Sequence, residues 1–272
     1  GVISKWTSQV DAESSLRGGV HNLILQLYET LEYDYGSELF RTALGLLVFS
    51  RKGVSDVEME DLLSLDESVR KGVFQYHKSD RVPTHVWLRL KMALGELIVE
   101  GEYGCLQLYH RQLKEIAETW LHEDKIRVCR LLATYFGDLV EENLRQTRNI
   151  PSQNWTLDGC IPFHTDSKVN VRRCVEAVRA MLQAHMYVQA EKELCNFAGI
   201  CSKIRIGEGF SLIQDFLGFC RERDNRLLDL IPKADVDTYM ERANHYLRWL
   251  RQEIYFLSRS PIQTFLSSAA LQ

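Results

Sequence analysis

The sequence predicts a mainly α-helical protein with one short β-hairpin, in which a compact helical domain is followed by a separate helical layer. Three observations carry this. Apolar residues recur at helical spacing along most of the chain, the period shortens to two at one place (Leu106 to Tyr109), and residues 146–168 gather loop formers that break the pattern. The composition agrees: 272 residues, 45% of them hydrophobic and 26% charged, match a globular protein long enough for two packed units.

Residues 1–18 are polar and poorly periodic, a linker or the tail of something upstream. From there Val20, Leu23, Ile24, Leu27, Tyr28 and Leu31 form one apolar face, and Gly36 ends that helix as a C-cap would. Ser37 to Phe49 is apolar nearly all round, which predicts a buried central helix. Arg51-Lys52 then suit a helix C-terminus, and Gly53 supplies the turn. Ser55-Asp56-Val57-Glu58 is a capping box, Ser55 accepting from the helix and Glu58 reaching back, and it opens a short helix to about Leu63. Asp66 to Gln75 reads as a further short helix.

Pro83 to Ile98 follows as an amphipathic helix with proline in its first turn, its stripe made of Val86, Trp87, Leu90, Leu94 and Leu97. Trp87 is expected to be buried against the Ser37–Phe49 helix. Val99 to Gly104 holds two glycines in six residues, which is turn chemistry, and Leu106 and Leu108 alternate with Gln107 and Tyr109 as in a half-buried strand. A hairpin is therefore expected near 97–109. Leu113, Ile116, Ala117, Trp120 and Leu121 restore the helical period, and a long helix is expected from about Asp124 to Leu144. Helix, tight turn, capped helix, third helix, two-stranded wing and closing helix make the outline of a winged-helix domain over residues 19–145.

Asn149, Pro151, Asn154, Asp158-Gly159 and Pro162 place a linker loop at 146–168. Four helical segments are expected beyond it in an α-helical domain over 169–257: Val169–Tyr187, Val188–Ser202, Gly209–Arg221 and Ala234–Leu257. Residues 258–272 read as a linker leading onward.

Several function classes are disfavoured. The net charge is −4 and neither half has the basic excess that phosphate-backbone binding requires. The third helix offers only Arg89 and Lys91 as exposed cations, too few for base and phosphate contacts, so DNA binding is the least favoured reading. No P-loop, dinucleotide fingerprint, H-E-x-x-H, C-x-x-C or nucleophile-elbow motif occurs, so no catalytic residue is assigned. Cys160 and His164 share the central loop with Cys174 beyond, but the spacing does not match known zinc sites and no metal ligand is assigned. The seven cysteines are odd in number and lie mostly in apolar helical patterns, as reduced, buried thiols of a cytoplasmic protein would. No run spans a bilayer, and the start Gly1-Val2-Ile3-Ser4-Lys5, without a Met, suggests a piece of a longer chain. His110 sits where strand meets helix. There it serves either as a structural histidine satisfying a carbonyl or as a donor to an anion at the helix start.

The passages Gly19 to Gly36, Leu46 to Asp66, Tyr109-His110-Arg111-Gln112-Leu113 and Ser260-Pro261-Ile262-Gln263-Thr264-Phe265 together resemble the NACHT and WD-repeat proteins, a group of STAND-type P-loop NTPases. The third is similar to a Tyr-His-Arg-Gln-Phe signature with Leu113 in place of Phe, and the last to the connector before the first WD repeat. The resemblance implies a non-catalytic regulatory module between a nucleotide-binding module and a repeat domain. It further implies that ADP or ATP belongs to an upstream module, since this chain holds no cofactor alone, and that His110 contacts the nucleotide phosphate. Its partners would then be the upstream module and the downstream repeats of the same protein, with no membrane and with nucleic acid disfavoured. The alternative is a stand-alone interaction scaffold with a winged helix that only packs.

Overall fold

The computed structural model describes residues 12–74, 80–158, 168–226 and 233–257. Among these are thirteen α-helices and one two-stranded antiparallel hairpin, so the protein is mainly helical with a small β element. The residues pack as two units. One takes the chain up to Leu131 together with Val140–Pro151, and the other takes Leu132–Leu139 together with the chain from Ser152 onward.

In the first unit, α1 (Ala12–Tyr35) is broken at Gly19, whose φ of 64° and ψ of 176° are not helical. Leu27, Tyr28 and Leu31 are buried, but Val20, expected on the same face, is 59% exposed. Helix α2 (Ser37–Phe49) is the core of the unit, buried at nine positions from Phe40 to Phe49. Gly45 lets the chain at Val128 come close, since a Cβ there would lie 3.0 Å from its methyl. The capping box forms as the sequence requires: Ser55 Oγ accepts from Glu58 N–H at 3.3 Å, and Glu58 accepts from Ser55 N–H at 2.9 Å. It starts α3 (Asp56–Leu65). Asp66 then caps α4 (Glu67–Phe74), accepting from the Ser68 N–H at 2.9 Å; the expected final residue of that helix, Gln75, lies outside the described residues.

The expected Pro83–Ile98 helix is shorter, α5 (Thr84–Leu94). Pro83 is extended (ψ 140°) and precedes the helix, and Gly95, with φ 48°, ends it. A single 3₁₀ turn, Gly95–Leu97, leads into β1 (Ile98–Glu100), so Ile98 is a strand residue. It pairs with β2 (Leu106–Leu108) in the register Ile98 to Leu108, Val99 to Gln107 and Glu100 to Leu106. Val54 adds an antiparallel bridge to Leu106, with both hydrogen bonds made (3.2 and 2.9 Å). The backbone at Gly53 runs so close to β2 that only glycine fits: φ is 81° and a Cβ would stand 2.2 Å from the Leu106 carbonyl oxygen.

Helix α6 (Arg111–Trp120) buries Leu113, Ile116 and Ala117, and the Leu113 carbonyl accepts from the Tyr28 hydroxyl at 2.9 Å. Burial drives that phenol pKa well above its ordinary value. The single long helix expected from Asp124 to Leu144 is two helices, α7 (Lys125–Phe136) and α8 (Glu142–Arg148). Asp138 takes a left-handed φ of 58° between them. The break falls at Gly137, where an added Cβ would clash with Met181 Cε and the Ala133 carbonyl, in a run whose apolar period is continuous. Helix α8 also enters the region read as loop. Its Arg148 is buried and donates to the Ser64 and Leu65 carbonyls (2.7 and 3.2 Å), satisfying the end of α3.

The second unit contains α9 (Val171–Gln183), α10 (Tyr187–Leu194), α11 (Phe197–Arg205), α12 (Gly209–Arg226) and α13 (Lys233–Leu257). Four segments were expected here and five are found. Val169 is not helical but pairs with Thr156. The Val188–Ser202 segment divides at Cys195-Asn196, because Asn196 Oδ1 accepts from the Ala198 N–H at 2.9 Å and starts a new helix. Val178, Met181, Leu212, Phe216, Met240 and Leu250 are buried in its core. The linkers expected at 1–18 and 146–168 are described only in part, and the one at 258–272 lies outside the described residues.

Of the cysteines, 105, 129, 174 and 201 are buried and 195 and 220 half-buried; Cys160 lies outside the described residues. Burial pushes the thiols of Cys174, Cys195 and Cys201 up to about 12. Since the thiolate is the reactive form, alkylation of these three at pH 8 is expected to be on the order of 10³-fold slower in the native protein than in urea. Mass spectrometry after brief iodoacetamide treatment checks this; equal labelling in both conditions would contradict the burial.

Candidate functional site

The hairpin and the start of α6 bring the sequence-selected residues together. Tyr109 N–H donates to the Leu97 carbonyl at 2.8 Å, which prolongs the ribbon by one pair and delivers the chain into α6. His110 is the N-cap of α6, extended (φ −106°, ψ 137°), and its side chain makes no capping hydrogen bond. Its imidazole is exposed and meets Tyr109 edge-on, ring centroids 4.5 Å apart at 75°. The first turn of α6 holds no acidic residue, and Arg111 pairs with Glu115 at 2.5 Å. The result is a helix start with an accessible imidazole and no carboxylate in its first turn, the nearest being Glu115 on Arg111. The buried carbonyl-satisfying role that composition left open for His110 does not fit an exposed ring.

The third-helix face is poorer in cations than the sequence suggested. Arg89 is exposed, but Lys91 is tied to both carboxylate oxygens of Asp56 (2.9 and 2.7 Å). Trp87 is buried, 1% exposed, and its indole N–H donates to Asp56 Oδ1 at 2.8 Å. Its polar contact is therefore with α3, not with the Ser37–Phe49 helix. A cleft of about 660 Å³ also opens in this unit, floored by Leu39, Val69 and Val86 and edged by Asp34, Glu38 and Arg89. His110 does not line it.

Sequence reasoning missed the charged groups inside the second unit. Lys203 and Asp215 form a pair at 2.7 Å with side chains 3% and 7% exposed. Arg173 grips Glu193 with two bonds of 2.8 and 3.0 Å. Glu191 is fully buried and held by Arg242. A charged residue on a helix reads as solvated unless its partner, 12 to 51 residues away, is known. Among the described residues no group of His, Cys, Asp and Glu could hold a metal ion, and no helix is long and apolar enough to cross a membrane. Cys160 and His164 lie outside the described residues.

With that geometry, comparison with known proteins gives a consistent class: the chain is a relative of proteins that carry NACHT and WD-repeat domains. It is 27% identical over 250 residues to the mouse NACHT domain- and WD repeat-containing protein 1, covering 85% of this chain and 16% of that protein. The human protein of the same name is 31% identical over 265 residues, 87% of this chain and 17% of the relative. The mouse NACHT and WD repeat domain-containing protein 2 is 34% identical over 175 residues, 61% of this chain and 10% of the relative. The chain thus spans between 10% and 17% of the length of these relatives. No family model and no solved structure matches it.

Proposed function

We propose that the chain is a non-catalytic regulatory module of a nucleotide-switched NACHT protein of the cytoplasm. A winged-helix domain (19–145) closes on an upstream nucleotide-binding module, and an α-helical domain (169–257) relays its movement to a downstream repeat sensor. The observation that carries this is His110, an exposed imidazole at a helix start that makes no capping bond, in a chain related to NACHT and WD-repeat proteins. The Val54 bridge to Leu106 supports the winged-helix reading, since it adds a third strand position between α2 and α3, beside the wing. In the closed state His110 donates a hydrogen bond to the β-phosphate of ADP held by the upstream module. Closure is a two-state interface, and nucleotide shifts it only through contacts made in one state and not the other.

His110→Ala in the full-length protein is expected to speed ADP release about ten- to a hundredfold, the worth of a charge-assisted hydrogen bond of roughly 1.5–3 kcal/mol. The melting temperature is expected to stay unchanged, because the side chain makes no capping bond. Unchanged ADP release with a lowered melting temperature would assign His110 to packing and leave an interaction scaffold. DNA binding is the weaker reading, given that Lys91 is engaged by Asp56 and the wing is acidic.

A further inference from the structure

The outer face of α5 exposes apolar side chains beside a cleft. His85, Leu88, Arg89 and Met92 fall at i, i+3, i+4 and i+7, and all four are exposed, Leu88 by 50% and Met92 by 73%. Trp87, Leu90 and Leu94 take the opposite face into the core. His85 and Arg89 also form one wall of the cleft floored by Leu39, Val69 and Val86, so stripe and cleft are one continuous surface. Across the cleft stand Asp34 and Glu38. Among the described residues neither carboxylate has an ion pair, nor has Arg89. Gly72 lines the same cleft from α4. A helical glycine destabilises relative to alanine, and packing within the chain does not call for it, since a Cβ there would meet no atom within 4 Å.

We propose that this cleft and the outer face of α5 together receive an amphipathic α-helix of a partner protein. The walls are helices, which bond most of their backbone groups internally and offer no strand edge, so recognition goes through side chains. Apolar residues of the incoming helix fill the cleft floor and cover Leu88 and Met92. Methionine suits that contact, because its flexible thioether adapts to differing partner surfaces. The bare backbone at Gly72 lets the helix approach closely, which is the reason a glycine is kept there at the cost of stability. The rims set the flanks: basic side chains of the helix face Asp34 and Glu38, and acidic ones face Arg89. Those two carboxylates repel a nucleic acid or an anionic membrane, and a small ligand held in the cleft would leave Met92 uncovered. The cleft does not include His110, so the site works whether or not that residue meets a nucleotide.

A phage-displayed library of helical peptides of about four turns, selected on the full-length protein, tests this. Enriched sequences are expected to carry an apolar stripe with lysine or arginine on one flank and aspartate or glutamate on the other. The best of them, synthesised with a fluorescent label, is expected to bind Met92→Lys at least about tenfold more weakly, with no change in that variant's melting temperature. Gly72→Ala is expected to weaken binding by a similar factor and yet raise the melting temperature by about 2–4 °C, a combination that a packing role alone would not give. Glu38→Lys should also weaken binding, and added salt should narrow its difference from the unaltered protein. The proposal is overturned by a library with no enriched sequence, or by binding that survives any of the three substitutions. A lowered melting temperature for Met92→Lys would equally sink it, since the chain would then cover this face itself. So would altered ADP release in Met92→Lys, which would assign the face to the nucleotide-binding module.

Discussion

Trp87→Ala is expected to destabilise the first unit by about 3–5 kcal/mol, the range for emptying an aromatic site in a packed core. The indole is 1% exposed, and its N–H is the donor that meets Asp56 Oδ1 at the start of α3. Trp87→Phe keeps most of the volume and loses the donor, so it should cost only about 1–2 kcal/mol. Urea denaturation of the three proteins measures both; a midpoint unmoved by Trp87→Ala would contradict the core assignment. Asp56 gives the same contact a pH signature. Burial works to raise its pKa, but the hydrogen bonds from Lys91 and Trp87 outweigh this and hold it below the ordinary carboxylate value. A carboxylate depressed in the folded state stabilises the fold above its unfolded pKa and loses that contribution as pH falls through the folded value. The effect of Trp87→Phe should therefore shrink below about pH 4.

Lys203→Met is expected to cost about 3–5 kcal/mol in the second unit, because it strips the charge partner from a buried carboxylate. Lys203 Nζ and Asp215 Oδ2 are 2.7 Å apart, and the pair joins α11 to α12 with both side chains nearly inaccessible. Lys203→Met with Asp215→Leu should recover most of the loss, since a well-packed apolar pair is often as stable as a buried ion pair. The diagnostic quantity is the coupling energy from the double-mutant cycle. A single substitution costing under about 1 kcal/mol would mean that water reaches the pair.

His110 shows how far the candidate site could be read from the chain. Its place between strand and helix was legible, because the period changes from two to 3.6 at that residue. Its exposure was not, since an N-capping histidine looks the same in sequence whether its ring turns inward or out. Tyr103 and Tyr109 were read only as hairpin residues. That Tyr103 is left-handed and both rings are exposed follows from the turn type, which the pairing register of β1 and β2 fixes.

The sequence by itself determined the helical class, the central helix Ser37–Phe49, the Ser55 capping box and the hairpin near 97–109, because each rests on interactions between residues close in the chain. It also carried the relation to NACHT and WD-repeat proteins. Tertiary structure alone decided where continuous apolar runs stop. Residues 124–144 hold one helical period, yet the chain divides at Gly137 and a left-handed Asp138, with Met181 packed where a Cβ at 137 would stand. It likewise decided which charges go inside: Lys203 and Glu191 look like solvated helix residues, and Arg148 like a loop residue, until distant partners supply their hydrogen bonds. Local periodicity encodes which face of a helix is apolar, whereas burying a charge depends on a partner that only the packed chain brings within reach.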